Sequence, residues 1–588
     1  MMGKNAPAAS AAAPGRSSGG TGAALRDTKT ARDTKTASVW PLRLAALLPY
    51  LFLLGAAYSV FAETVDDPYI TFRYAANLLA GHGPVFNVGE RVEGFTSPLH
   101  LLLSIILLTV APAVDILFKA KCASLFFAFI MLAQTKALAR RSGLGRWGAV
   151  LAQALVALNI NFALAAVNAL ETTLYGVLLL AGLLLFHQEC RSGRGLLSGA
   201  LLFLATLARP EAFLVVAALL VVRLLRGRAG RLPPGFAAGW LVAFLVPAAL
   251  FEIARWGYYG QLLPNTYFAK AQPLMQSLSG GIAYPLRAMS PTPTVPADLF
   301  RHLSRLNGNN LLAFGSLTQK NIRSDLFNLV LPLLFWGLAL LGLVKMGRRT
   351  LGVISLAVVA AVLVFVLKAG GDWMYGWRFM APILPLLAVS QCHGIRALAR
   401  RRARPLPPGR ARAFPARNAA RIGGALVAVL WLVSCTKTNH YSWRSTDFST
   451  RGSRLLQVSE GYGPLWVKGA DYIRQLPRGT TVAYSEMGYA GYSNMDKSLL
   501  DIRGLTDREI AHLPARYKYS TGVADQEWYR QGDPLGRILR GRRPQVIISF
   551  DDVPPRAALS GYRRCPTLLM PASGAAAPIP AYVFRRRG

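Results

Sequence analysis

Negative charge is scarce in this chain. Of 588 residues only 28 are Asp or Glu, against 66 Lys and Arg, for a formal net charge of +38. Cysteine is scarcer still. Cys122, Cys190, Cys392 and Cys435 lie in or beside apolar runs, Cys565 stands apart, and no CxxC pair occurs. That argues against a disulfide framework and a thiolate zinc site. No P-loop is present, which argues against an ATP-driven pump, and no HExxH or similar metal motif occurs. In a soluble chain so basic a balance would suggest nucleic acid, but no reader motif accompanies it.

What is abundant is apolar surface. The chain is 53% hydrophobic with a mean hydropathy of +0.33. Runs approaching the about 20 residues that a membrane helix needs recur along it. Arginine clusters flank these runs, as in cytoplasmic loops beside anionic lipid. The expected fold is therefore an α-helical polytopic membrane protein.

Residues 1–40 are Ala, Gly, Ser and Thr with scattered basic residues, and "RDTKTA" occurs twice, at Arg26–Ala31 and Arg32–Ala37. Such a segment cannot bury a core and is expected to be a disordered cytoplasmic tail. The run Leu44–Ala62 is too long for a signal peptide and lacks a small-residue cleavage site, so it reads as a retained first span. With the basic tail inside, this span delivers Asp66 and Asp67 to the outer face.

The run Leu99–Ala113 is short. If it crossed, "ARRSGLGR" (Ala139–Arg146) would fall outside. If it lies in the outer interface, Ile116–Leu138 becomes the second span and every later basic loop falls inside. The second threading is preferred. Spans then follow at Trp147–Val167, from Glu171 to His187, Leu196–Ala208, Ala212–Leu225 and Ala237–Ala254. Three more precede Lys345–Arg349, Lys368–Arg378 and Arg396–Arg421, and a last one covers Ile422–Ser434, about eleven in all. Leu196–Ala208 and Ala212–Leu225 are shorter than the ~30 Å hydrocarbon core requires. Their connecting turn, "RPE", should therefore face a cavity inside the protein. The resulting domains are the tail 1–40, a transmembrane module 41–436 with a first outer loop at 63–115, and a periplasmic α/β domain 437–588. Strand candidates there are "TTVAYS" at Thr480, "QVIISF" at Gln545 and "AYVFRR" at Ala581.

This threading puts every polar motif outside and every arginine-rich, motif-poor loop inside. In "DDPYITFRYAANLLAG" the residues Tyr69, Phe72, Ala76 and Leu79 share one helical face, with Asp66 and Asp67 at its start. The acidic pair reads either as the cap of an interfacial helix or as a general base whose pKa is raised by partial desolvation. The outward cations Arg73, Arg209, Arg255, Lys270, Lys368 and Arg378 suit phosphate, or else pair with Glu171, Glu211 and Asp372. "GGDWMYGWR", with Asp372 and Trp373, suits sugar or an interfacial aromatic belt. "LPNTYFAK" supplies Asn265, Tyr267 and Lys270 as a polar patch.

Several stretches resemble the bacterial C-type glycosyltransferases, in particular the branch with the terminal β-arabinofuranosyltransferase of the mycobacterial cell wall. They are "DDPYITFRYAANLLAGHGPVFNVGERVEG", "NALETTLYGVLLL", "LARPEAFL", "YYGQLLPNTYFAK", "GGDWMYGWRFMAPILPLLAV" and "LLDIRGLTDREIAH". "GFTSPLH" departs from the wording of that branch. The resemblance implies an inverting, membrane-bound glycosyltransferase with its site on the outer face of a bacterial inner membrane. Its donor would be a sugar, plausibly arabinofuranose, on a polyprenyl phosphate, and its acceptor a polysaccharide, lipid or pilin-like protein. It further implies Asp66 or Asp67 as the base. Arg73, Arg209, Glu211, Asn265, Tyr267, Lys270, Asp372, Trp373 and Arg378 would line the donor site, with Glu93, His100 and Glu171 shaping the loop or the acceptor site. Some members of the superfamily use a divalent ion, and Mg or Mn would suit Asp66, Asp67 and Asp372. Two other readings compete. A transporter of lipid-linked sugar predicts inverted repeats and charge near the bilayer centre, and neither is seen. A non-catalytic envelope or flagellar assembly factor predicts that both aspartates are dispensable. The threading predicts that Asp66→Cys is labelled by an impermeant thiol reagent in intact cells and Gly143→Cys is not. Protection of position 66 would refute it.

Overall fold

The computed structural model describes residues 40–61, 64–192, 196–228, 236–271, 277–278, 281–282, 284–285, 322–347, 349–372, 374, 377–402, 422–423, 425, 463–514, 534–549, 562–565, 568–570 and 579–587. The expected tail, the expected span Ile422–Ser434 (three residues excepted), Trp373, Cys435 and most of the long loop after Lys270 lie outside these residues. The chain divides into two units, Met1–Leu48 and Pro49–Gly588. Of the described residues, only 40–48 belong to the first unit.

Five described helices are long and apolar enough to cross a membrane. They are α1 (Trp40–Ser59), α4 (Ile116–Arg141), α7 (Thr172–Ser192), α10 (Phe236–Tyr259) and α13 (Thr350–Ala369). The chain is thus a multi-pass helical membrane protein. Between α1 and α4 lie α2 (Asp67–Leu79) and α3 (Pro98–Thr109). Ser97 starts α3 by accepting the His100 N–H at 3.2 Å, with Pro98 in the first turn. Twelve residues rise only about 18 Å, so α3 is too short to span. Asp115 caps α4, accepting the Phe118 N–H at 2.9 Å, and Arg140 and Arg141 close its last turn, where the helix dipole favours cations.

The expected span Trp147–Val167 is broken in the middle. It is two helices, α5 (Arg146–Ala157) and α6 (Ile160–Val167), bent by 66° at Leu158–Asn159. The break has a local cause. The Asn159 side chain accepts the Asn161 N–H at 2.9 Å, capping a new helix where a continuous one would have placed a backbone carbonyl. The short pair expected around "RPE" is present as α8 (Leu197–Ala208) and α9 (Ala212–Arg228). After α11 (Asn265–Ala269) come α12 (Ile322–Met346), α13 and α14 (Leu384–Arg402). α12 and α14 approach closely. A Cβ on Gly342 or Gly394 would strike the backbone of Ser390 or Leu338 on the facing helix.

The C-terminal region holds α15 (Gly463–Arg474), β1 (Thr481–Tyr484), α16 (Gly488–Ser493), β2 (Ser498–Asp501), α17 (Arg508–Ala511), α18 (Pro534–Arg542), β3 (Val546–Ser549), β4 (Tyr562–Arg564), β5 (Leu568–Met570) and β6 (Ile579–Arg586). The sheet order is β2-β1-β3-β6-β4, with β5 also on β6. β1 runs parallel to β2 and β3, while β6 is antiparallel to its partners. The three expected strands are β1, β3 and β6. Strand alternation sorts the sheet's side chains onto two faces. Ala483, Ile547, Tyr582 and Phe584 pack with α17 and α18. Val482, Tyr484, Val546, Ile548 and Val583 pack with Ala470 and Ile473 of α15 and with Ile70, Tyr74, Phe86, Phe95 and Leu101 of the first loop. One face of the C-terminal sheet therefore covers the segment between α1 and α4.

Arg73 locks this docking. It is 2% exposed. Its Nε donates to Phe86 O at 2.7 Å and its Nη1 to Gly491 O and Asn494 O at 2.5 and 3.2 Å. Its Nη2 donates to Lys497 O at 2.9 Å and Asn87 Oδ1 at 3.4 Å. All five N–H donors of the guanidinium are used. Arg73→Met should strand these acceptors and lower the apparent Tm of the purified protein by several degrees. It should also open the 488–497 region to limited proteolysis. Arg73→Lys, with a different donor geometry, should recover little of this. An unchanged Tm and cleavage pattern in Arg73→Met would refute the lock.

Candidate active site

The two adjacent aspartates differ completely in their surroundings. Asp66 is buried, and its carboxylate accepts the N–H groups of Gly488 (2.7 Å) and Tyr489 (2.6 Å), at the start of α16. Only glycine fits at 488, because a Cβ there would collide with the Asp66 backbone carbonyl. Burial and the neighbouring Glu486 push the Asp66 carboxyl up to about 7, against the pull of the two backbone N–H groups. Asp67 is half-buried and in the first turn of α2. Burial raises its pKa, Lys270 and Arg378 act against that rise, and Asp372 and Glu171 add to it. Asp67 thus faces the charged residues of the helical bundle, and Asp66 faces the C-terminal region.

The bundle side is a buried charged cluster. Arg209, at the C-terminus of α8, donates to Glu171 Oε1 at 2.6 Å and to Glu211. Arg378 pairs with Asp372. Both guanidiniums approach the Phe379 ring, at 4.8 and 5.7 Å from its centroid. Burial works to raise the Glu171 pKa, but Arg209, Arg378 and His100 outweigh it and keep the carboxylate ionised. His100 is buried against Phe72, Glu171 and the Ala169 carbonyl, and burial lowers its pKa. Backbone strain sits at both edges of this cluster: Ala169 has φ +58° and Trp377 +45°, rare for residues with a Cβ. Ala169 lies two residues before Glu171 and Trp377 immediately before Arg378, so the strain borders the charged groups.

The structure therefore separates the residues singled out in the sequence. Asp67, His100, Glu171, Arg209, Glu211, Lys270, Asp372 and Arg378 come together. Asp66 and Arg73 do not join them. Asn265 also turns away, its Nδ2 within 2.8–3.1 Å of Gly504, Leu505 and Asp507 carbonyls of the C-terminal region. Glu93 is buried 3.8 Å from Arg255, and burial raises its carboxyl to about 7. Tyr267 is exposed, 5.9 Å from the Lys368 ammonium. Arg73 as a phosphate ligand is corrected for a physical reason: its donors are exhausted.

Lys121, Phe379 and Gly488 were missed by sequence reasoning. Lys121 is buried in α4, and its ammonium donates to Phe61 O at 2.5 Å and Thr64 Oγ1 at 3.0 Å, fixing the chain just before Asp66. A lone lysine inside an apolar run was a signal for such a role. The other two carried no local signal. A cavity of about 400 Å³ opens between α17 and α18, lined by Glu509, Arg537 and Arg542 among others, and it contains none of the cluster. A divalent ion does not fit. Asp66 is held by two N–H groups, Asp372 is paired, and the described residues contain no group of three or more His, Cys, Asp or Glu arranged to hold a metal.

A family model described as "Domain of unknown function (DUF8728)" matches residues 457–581. The chain is 35% identical over 223 residues to the terminal β-(1→2)-arabinofuranosyltransferase of Mycobacterium tuberculosis, covering 35% of this chain and 34% of the relative. It is 30% identical over 377 residues to the protein of that name from Corynebacterium glutamicum, covering 58% and 50%. The matches thus span between a third and a half of these relatives' length. Two solved structures of ArnT from Cupriavidus metallidurans, bound to undecaprenyl phosphate and in the apo state, are also similar. Each is 12% identical, with TM-scores of 0.45 and 0.42, covering 93% and 94% of this chain and 98% of those chains.

The raised Asp66 pKa has a sign that can be tested. Between pH of about 4 and 7 the folded protein holds a proton at Asp66 that the unfolded chain releases, so this group's stability contribution falls as pH rises. Asp66→Asn removes the titration. The Tm difference, wild type minus Asp66→Asn, should decline from pH 4 to 7. A flat difference would show that Asp66 titrates normally.

Proposed function

We propose that the chain is an inverting glycosyltransferase that moves a sugar from a polyprenyl-phosphate donor to an acceptor outside the cytoplasm, with Asp67 as its general base. The observation that carries this reading is the half-buried Asp67, within electrostatic reach of Lys270 and of Arg378, the latter in one buried cluster with Arg209. In the reaction an acceptor hydroxyl gives its proton to the Asp67 carboxylate. Its oxygen forms a bond to the anomeric carbon from the face opposite the phosphate. The bond from that carbon to the phosphate oxygen breaks, and the phosphate leaves with the electron pair. Lys270, Arg209 and Arg378 stabilise the charge on the departing phosphate, a preorganised arrangement in a low-dielectric setting. Phosphate is a good leaving group and needs no acid.

Asp66 takes the role of holding α16 against the loop, which leaves its neighbour free to act. The relatives' names point to arabinofuranose as the sugar. The outer face of a bacterial inner membrane, as the charge threading places the site, is where a flipped donor would meet it. In this reading Glu171, Glu211 and Asp372 hold the arginines in place until the donor phosphate arrives, and His100 shapes the loop beside Glu171.

The test is transfer by the reconstituted protein from polyprenyl-phosphate sugars. Asp67→Asn should lower turnover by about 10²–10⁴-fold, the usual worth of a general base. Asp66→Asn, which keeps one oxygen for α16, should retain most turnover in preparations that remain folded. Wild-type turnover in Asp67→Asn would sink the base assignment. Donor hydrolysis or transport without transfer in the wild type would sink the enzyme reading.

A further inference from the structure

A second charged cluster, of one sign only, lies at the other end of α4. Asp115, which caps α4, sits close enough to Tyr69 and Tyr492 to act on them electrostatically, beside the loop that carries Asp67. Twenty-six residues on, α4 ends in Arg141, a rise of about 39 Å. There Arg141 Nη1 donates to Leu184 O at 2.8 Å. Arg226, at the end of α9, donates to Thr350 Oγ1 at 2.8 Å. Arg349, the neighbour of Thr350, donates to Ser142 O at 2.6 Å, next to Arg141. Arg141, Arg191 and Arg226 all lie near enough to the buried His187 to bear on its charge. Four guanidiniums from four elements thus share one neighbourhood.

No described carboxylate is paired with any of the four. Glu189, the nearby acid, is committed elsewhere: Oε1 accepts the Ser198 N–H at 3.0 Å and Oε2 the Ser198 hydroxyl at 2.5 Å. The bonds of Arg141, Arg226 and Arg349 go to neutral oxygens, which orient these three guanidiniums without cancelling their charge. Like charges held together at a helix-bundle edge are relieved by an anion offering several oxygens, and the arginine fork matches phosphate. Basic pockets between membrane helices on the cytoplasmic side suit lipid headgroups.

We propose that Arg141, Arg191, Arg226 and Arg349 form a phosphate-binding site remote from the candidate active site, and that the phosphate is the headgroup of an anionic membrane lipid. Lipid is the source favoured by position, because the four residues stand at helix ends where apolar runs give way to basic loops.

The test uses the purified full-length chain in a neutral detergent. Tm is followed during titration with phosphatidylglycerol, phosphatidylcholine or inorganic phosphate. Phosphatidylglycerol should raise Tm saturably and phosphatidylcholine should not. The triple variant Arg141→Gln, Arg226→Gln, Arg349→Gln should weaken the phosphatidylglycerol effect by about tenfold or more, as expected from losing several charge-assisted bonds. The single variant Arg226→Gln should weaken it less, which keeps the test informative if the triple variant misfolds. Equal effects of the two lipids, or variants that respond like the wild type, would overturn the site. Saturation by inorganic phosphate alone, lost in the variants, would support a phosphate site and overturn the lipid assignment. None of these readouts depends on glycosyl transfer.

Discussion

The candidate site depends on one interaction: the docking of the C-terminal sheet onto the segment between α1 and α4, pinned by the five donors of Arg73. Buried cations are tolerated only when their hydrogen bonds are complete, and here they are completed by carbonyls from both partners. Removing either partner would leave a buried charge bare, so loop and sheet are stable together. Asp66 and Asn87 add bonds across the same interface, and Asn265 of α11 bonds the same C-terminal region. The position of Asp67, one residue after Asp66, is thereby set by a region more than four hundred residues away in the chain.

On the other side of Asp67 the constraint is electrostatic. Glu171, Glu211 and Asp372 are buried with Arg209 and Arg378, an arrangement that costs desolvation and is retained only where geometry is good or function requires it. The strained Ala169 and Trp377 border that cluster. The reading that fits both is a preorganised receptacle for an anion, whose arginines are held by carboxylates in its absence. Asp67 joins the two halves: its backbone belongs to the docked loop and its carboxylate to the field of the cluster.

Much of the architecture was legible in the sequence because apolar length and arginine placement are local signals read against one solvent, the bilayer. Five of the spans, the short helix Pro98–Thr109, the short pair around Arg209 and the strands at Thr481, Val546 and Ile579 follow from period and length. The break at Asn159 was not legible, because a single asparagine in an apolar run reads as tolerated polarity until its side chain is seen capping a helix. β2 was missed because "SLLD" is four residues long and its partner lies in another segment.

Sequence alone determined the residue types, the acidic pair at the exit of the first span and the family resemblance. It did not distinguish Asp66 from Asp67, or Arg73 from Arg209 and Arg378, since adjacent carboxylates and outward arginines look alike in one dimension. Only tertiary structure decided which carboxylate meets the N-terminus of α16 and which meets Lys270 and Arg378. The reason is physical: the role of a charged group is set by the donors, acceptors and dielectric brought to it by distant parts of the chain, and none of these is written in its neighbours.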